Sequence, residues 1–220
     1  MSIKETPWDA AAFGIPTFEI SALSEENLGF ASRTSGHYTI KVDPLADKKM
    51  LDAYGFYYCD TLIEPWCSLG RFRFYDCADC RVSKETGLEA LLGICHGAFS
   101  HGRFHRDFNL SPELADRRYD NWLASLYREG NVLGLYHDET LAGFVAYSGS
   151  RLVLHAIDET YRGRGYGKYL WSAACRVIFD RGAPEITSSI SASNLAVLNL
   201  YASLGFGFRN AVDVYHLWVK

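Results

Sequence analysis

One stretch constrains this chain more than any other: Arg162-Gly163-Arg164-Gly165-Tyr166-Gly167-Lys168, set directly between the apolar run 152–157 and a segment of helical periodicity at about 167–181. Strand, glycine loop and helix in that order make a cradle for an anion. Glycines let successive backbone N–H groups turn toward one point, and the N-terminus of the following helix adds partial positive charge there. Arg162, Arg164 and Lys168 add full charges. The arrangement favours a pyrophosphate over a plain glycine turn with solvated arginines. Its GxGxG spacing is not the GxGxxG of a dinucleotide fold, and no GK[ST] of a P-loop follows, so a dinucleotide oxidoreductase is a distant reading.

The rest of the chain supplies an α/β frame for this loop. Alternating or short apolar runs predict strands at 16–20, 38–42, 56–63, 71–75, 132–136, 141–148, 152–157, 185–190 and 213–219. Asp138-Glu139 makes the turn of a hairpin. Helical spacing predicts helices at 45–54, 85–99, 113–128 and 195–204, the last stopped by Gly205. From Ser83 onward the order is α-α-β-β-β-α-β-α-β. A smaller N-terminal α/β domain, 1–70, is expected before the main domain, 71–220, with a soft boundary near 68–71.

Composition removes several function classes. Twenty-two basic and 26 acidic residues give a formal charge of −4, too little basic field for a nucleic-acid partner. No apolar run approaches the roughly 18–20 residues that span a bilayer, and the first nine residues lack the apolar stretch of a secretory signal. No membrane partner and a cytoplasmic location are therefore expected. Cys59, Cys67, Cys77, Cys80, Cys95 and Cys175 are expected to be reduced thiols. Cys77 and Cys80 form one CxxC without a second, and Cys59 and Cys67 are wrongly spaced for a zinc knuckle, so no metal is expected.

The glycine loop resembles the acyl-CoA loop of the GNAT superfamily, [QR]xxGx[GA], at Arg162, Gly165 and Gly167. That superfamily then carries an Asn, a Tyr seven residues on, and a Gly-Phe. This chain has Asn194, Tyr201 and Leu204-Gly205-Phe206. The two motifs cover roughly the last 70 residues. The resemblance implies a mixed, splayed central sheet flanked by helices, with acyl-CoA as co-substrate. It implies that the backbone amides of Gly163, Arg164, Gly165, Tyr166, Gly167 and Lys168 hold the pyrophosphate. The strand edge from His155 to Ile157 would pair with the pantetheine arm, and Asn194 would hydrogen-bond the cofactor. Tyr201 would give the departing thiolate its proton; a phenol of pKa near 10 can donate to a thiolate whose acid is near 8.5 if the site steadies the tyrosinate. Many superfamily members carry a Glu at the start of the third strand, where this chain has Arg151, and no carboxylate occurs from 151 to 157. The base is therefore left open, with His155 or water as candidates.

Further residues resemble the dTDP-amino-dideoxysugar N-acyltransferases of bacterial surface-polysaccharide synthesis. They are Trp8-Asp9 with Phe13-Gly14, Leu51-Asp52-Ala53-Tyr54-Gly55-Phe56, Ala98-Phe99-Ser100-His101-Gly102-Arg103-Phe104, and Tyr119 with Trp122. The resemblance implies transfer of an acetyl group, or a larger one such as 3-hydroxybutyryl, to a 3- or 4-amino group of a dTDP-linked deoxyhexose. Asp60 would face the sugar amine, four residues after Gly55-Phe56. Arg103, Phe104 and His105 would contact the nucleotide-sugar, the arginine through a phosphate and an aromatic through thymine. A homodimer is a further expectation. A GNAT enzyme acting on a protein amine, or a non-catalytic acyl-CoA-binding module, would share the C-terminal motifs.

Overall fold

A computed structural model describes residues 2–220. Its strands form one mixed sheet, built mostly from antiparallel pairs. In chain order they are β1 (Ile3–Glu5), β2 (Thr17–Ile20), β3 (Gly36–Val42), β4 (Tyr57–Ser68), β5 (Cys80–Ser83), β6 (Val132–His137), β7 (Thr140–Ser148), β8 (Arg151–Ile157), β9 (Glu185–Ser188), β10 (Ile190–Ser191) and β11 (Gly207–Val219). Their spatial order is β1-β2-β3-β11-β4-β9-β8-β7-β6-β5, with β10 beside β4. The last strand lies inside the sheet, antiparallel to β3 on one side and to β4 on the other. The mixed, helix-flanked sheet expected from the sequence is what the chain builds.

Among the described residues seven α-helices flank the sheet: α1 (Pro7–Phe13), α2 (Glu25–Ala31), α3 (Lys49–Ala53), α4 (Leu88–Cys95), α5 (Pro112–Arg128), α6 (Gly167–Phe179) and α7 (Leu195–Ser203). α5 shows why these residues are helical. Ser111 accepts from the N–H of Leu114, Pro112 takes the first turn, and Ala115, Tyr119, Leu123 and Leu126 fall on one buried face. α6 buries Leu170, Trp171, Ala174, Cys175, Ile178 and Phe179 in the same manner. Those two helices cover opposite faces of β6, β7 and β8, one core cluster containing α6 side chains and another α5 side chains.

The chain departs from expectation in places. Residues 71–75 are not a strand: the N–H groups of Arg71 and Phe72 donate back to the Ser68 carbonyl in the turn after β4, and the next residues lie against α6 and the end of α7. Arg73 N–H donates to the carbonyl of Leu204, and Tyr75 N–H to Ser172 Oγ. The edge strand is instead β5, paired with β6. β1, α1 and α2 were not read from the sequence. β11 starts at Gly207 rather than 213, its ladder with β4 interrupted between Arg209 and Val212, where Asn210 takes φ 54°. All six cysteines are free thiols.

Candidate active site

β8 and β9 are parallel neighbours only at Arg151–Thr187 and Leu152–Ser188. Past that point the chain bends at Ser189 and β10 continues along β4 instead, pairing Ile190 with Ile63 and Ser191 with Leu62. The sheet therefore opens, and among the described residues none pairs as a strand with 153–157 of β8 on that side. On the other side, Ala146 faces Leu154 while Tyr147 faces Leu152, so Val153 is the extra residue of a β-bulge. A cavity of about 1040 Å³ fills this opening. Its walls come from β8, the glycine loop, the start of α6, residues 189–191, the first turns of α7, residues 98–104 and the β4 residue Asp60.

The glycine loop forms one end. Gly163 and Gly165 have φ of 74° and 83°, left-handed conformations that a side chain resists, and no atom lies within 4 Å of where a Cβ would stand. The cradle is open on the side an anion would approach. Arg162 Nε donates to the Ile157 carbonyl at 2.9 Å, tying the loop to the end of β8. Arg162, Gly163, Arg164, Gly165, Gly167 and Lys168 all line the cavity. The Tyr166 side chain does not; its ring packs 4.1 Å from that of His137. Asn194 lines the cavity and caps α7, its side chain accepting from Val197 N–H.

Behind β8 stands the Tyr201–His155 pair. Tyr201 is wholly buried in the α6-side core, and its hydroxyl lies 2.9 Å from His155 Nε2. His155 and Ile157 line the cavity; Tyr201 does not. Burial pushes the phenol well above its usual range and the imidazole down to about 4. Both are neutral at pH 7, and in the tautomer that carries its proton on Nδ1 the imidazole accepts from the Tyr201 hydroxyl. The structure thus sets the expected acid one ring back from the cavity, behind an imidazole.

Asp60 stands opposite. Its Oδ1 accepts from Arg106 Nη1 at 2.9 Å, Ser191 Oγ at 2.7 Å and the Thr61 N–H at 2.9 Å. Its Oδ2, on a residue with no exposure, has no hydrogen-bond partner among the described residues. Burial raises the carboxyl above its ordinary range, against the hydrogen bond from Ser191 and the charge of Arg106. A buried carboxylate oxygen without a donor is an acceptor in waiting for an N–H group.

Of the expected nucleotide-sugar contacts, the structure brings one to the cavity in usable form. Arg103 lines it and has no carboxylate within ion-pair distance among the described residues. Phe104 borders the cavity but cannot stack on a base. It is 2% exposed, with His216 stacked on it at 5.6 Å and the guanidinium of Arg103 4.6 Å from its centroid. His105 turns away, bonded through Nε2 to Asp116 at 2.9 Å and stacked on Tyr119.

Sequence reasoning missed what anchors this loop. Asp107 Oδ2 accepts from His37 Nε2 at 2.8 Å and His216 Nδ1 at 2.7 Å, and its Oδ1 accepts from the Tyr57 hydroxyl at 2.9 Å. Burial disfavours the charged carboxyl, but the hydrogen bonds from His216 and His37 outweigh it and hold Asp107 below its usual range. His216 itself is pushed down to about 3 by burial. Separations of 2.7–2.8 Å are those of hydrogen bonds, shorter than the roughly 3.3 Å between two ligands of a tetrahedral zinc. The cluster fastens residues 103–107 to β3, β4 and β11.

Comparison with known proteins agrees with this geometry. Residues 99–206 match the model of the Acetyltransferase (GNAT) family. YwnH of Bacillus subtilis (strain 168), whose name assigns it provisionally to the phosphinothricin acetyltransferases, is 29% identical over 133 residues, 57% of this chain and 82% of that protein. The N-alpha-acetyltransferase MAK3 of Arabidopsis thaliana is 30% identical over 84 residues, 38% of this chain and 40% of that protein. The crystal structure of a GCN5-related N-acetyltransferase from Sphaerobacter thermophilus superposes with a TM-score of 0.60 at 12% identity, covering 86% of this chain and 62% of that one. That likeness is one of fold.

Proposed function

We propose, from the match of residues 99–206 to the GNAT acetyltransferase family, that the chain moves an acyl group from acyl-CoA to the amino group of a dTDP-linked 3- or 4-amino-dideoxyhexose, as in bacterial surface-polysaccharide synthesis. The observation that carries the reading is a single cavity with an open glycine cradle at one end and the unpartnered Oδ2 of Asp60 on its wall. A thioester with a diphosphate tail fits the first, and an amine fits the second.

The residues divide the work. The amides of 163–168 and the cations Arg164 and Lys168 receive the diphosphate. The unpaired edge of β8 offers peptide groups to the amides of the pantetheine arm, as a strand does to an added strand. The bulge at Val153 leaves backbone groups free to polarise the thioester carbonyl. Asp60 Oδ2 takes a hydrogen bond from the ammonium and passes its proton toward solvent. The neutral amine attacks the carbonyl carbon, the C–S bond breaks, and the thiolate takes a proton from the Tyr201–His155 pair. The proton that nitrogen loses as the amide forms balances the one the thiolate gains.

Purified protein incubated with acetyl-CoA or 3-hydroxybutyryl-CoA and dTDP-amino sugars should release free thiol. Absence of thiol with every pairing overturns the reading. A second reading, a peptide N-terminus as acceptor, is favoured by the likeness to an N-alpha-acetyltransferase. Thiol release with peptides and none with amino sugars would select it.

A further inference from the structure

Proton transfer from Tyr201 leaves a charge in a costly place. Once its proton has passed through His155 toward the thiolate, a phenolate remains on a ring that is wholly buried. The core cluster that holds it is apolar, with Leu152, Leu204 and Phe206 among its members, the last edge-on to the phenol at 4.8 Å. An anion in such surroundings is strongly disfavoured unless hydrogen-bond donors meet it.

Two donors stand beside that ring. Ser188, wholly buried at the end of β9, donates its hydroxyl at rest to the Leu152 carbonyl at 2.9 Å. Trp171, in the second turn of α6, is 2% exposed, and its indole N–H is buried with no hydrogen-bond partner among the described residues. A buried indole N–H ordinarily has one. The indole stands edge-on to His155 at 5.2 Å, the same imidazole that the Tyr201 hydroxyl meets at 2.9 Å. Burial raises the phenol, and Ser188 and Trp171 are the two side chains whose hydrogen bonding pulls the other way. A donor is worth roughly twice as much to an ionised oxygen as to a neutral one. An N–H left idle at rest therefore favours the state in which the proton has left, and only such differential binding speeds a reaction. We propose that Ser188 and Trp171 are positioning residues that form an anion hole for the Tyr201 phenolate, the serine hydroxyl turning from the Leu152 carbonyl and the indole N–H closing on the phenolate oxygen. The assignment rests on the acyltransfer reading for the step it serves, but the ionisation of the phenol is measurable without turnover.

The probe is a trifluorinated tyrosine of lowered pKa, placed at position 201 alone and titrated by fluorine NMR with neither acyl-CoA nor amine present. Trp171→Phe, which keeps a ring but loses the N–H, and Ser188→Ala should each raise the pKa of that phenol by roughly one unit. The direction excludes a merely structural effect, because loosened packing admits water and would lower it. In the chain with its natural Tyr201, each substitution should slow single-turnover thiol release roughly tenfold at unchanged acetyl-CoA affinity. In a Tyr201→Phe background neither should slow it further. If either substitution leaves the pKa unchanged or lowers it, or if the rate losses persist in full without the phenol, the anion hole is overturned. Failure of the acyltransfer reading looks different. Raised pKa values with no thiol release from any acceptor keep the hole and remove that reading, whereas full thiol release with an unmoved pKa does the reverse.

Discussion

Replacing Tyr201 by Phe tests the proton path more sharply than any other single change. The substitution removes one oxygen from a fully buried ring and leaves the packing on Phe206 in place. Its structural effect is the loss of the 2.9 Å hydrogen bond to His155, worth about 1 kcal/mol, or roughly fivefold in any equilibrium that depends on it. A lost proton donor costs far more, roughly 10²- to 10⁴-fold in kcat. The two magnitudes do not overlap. Because the phenol reaches the cavity only through the imidazole, His155→Gln should cost about as much as Tyr201→Phe. The double variant should then be little worse than either, leaving a coupling energy of about 2 kcal/mol or more. The assay is thiol release under single turnover, with acetyl-CoA affinity measured separately to show that binding is intact. Losses that multiply in the double variant, or a Tyr201→Phe loss of fivefold or less, would refute a shared path and give the thiolate's proton to another donor.

Other residues give checks of their own. Gly165→Val forces a side chain into φ 83° and should raise the acyl-CoA KM roughly tenfold or more, whereas Gly167→Ala meets only ordinary contacts with Leu200 at 3.6 Å and should change it little; steady-state kinetics in acyl-CoA separates them. Asp60→Asn should lower kcat/KM for the amine roughly 10- to 100-fold with acetyl-CoA affinity unchanged, and a matching loss of acetyl-CoA binding would place Asp60 in the wrong subsite. Stability should fall on acidification, because burial depresses His155 to about 4 and His216 to about 3, below the ordinary 6.5 of the unfolded chain. The unfolded state then binds more protons below pH 6.5, so denaturant titrations at pH 7 and pH 5 should differ by on the order of 2 kcal/mol per histidine; no difference contradicts the neutral assignment. Gly205→Ala places a Cβ 2.2 Å from the Arg71 carbonyl at φ 90° and should lower the thermal midpoint by several degrees.

The glycine loop between β8 and α6 was legible because its residues are contiguous in the chain. A phosphate cradle needs glycines at successive turns before a helix, and residues 162–168 show that without a structure. α5, α6 and α7 were legible for a similar reason, each long enough for its apolar period to repeat. α1 and α2, at seven residues each, are too short to repeat one. Residues 71–75 alternate like a strand, but which partner takes the backbone bonds is a tertiary fact, and here it is α6 and α7. The burial of Phe104 was hidden for the same reason. Phe104 is next to Arg103 in sequence, but the loop anchored by Asp107 turns its ring inward under His216. His37, Asp107 and His216 stand 70 and 109 residues apart and share no local signal.

The two halves of the site have one structural origin. Had the strand at 185–191 stayed beside β8 for its whole length, the edge at 153–157 would be sealed by a ladder and no cavity would exist. Its departure at Ser189 to follow β4 opens that edge. The same departure sets Ser191 opposite Leu62, where its hydroxyl reaches Asp60 Oδ1. With Arg106 on the same oxygen, the carboxylate is fixed with Oδ2 unmatched. β4 adds its own irregularity. Val214 of β11 faces Asp60 while Tyr215 faces Tyr58, which makes Cys59 the extra residue. A side chain changes face when register slips by one residue. The extra residue breaks the strict alternation of faces along β4 just before Asp60, so the side to which this carboxylate points is set by the bulge and not by counting in twos from the start of the strand.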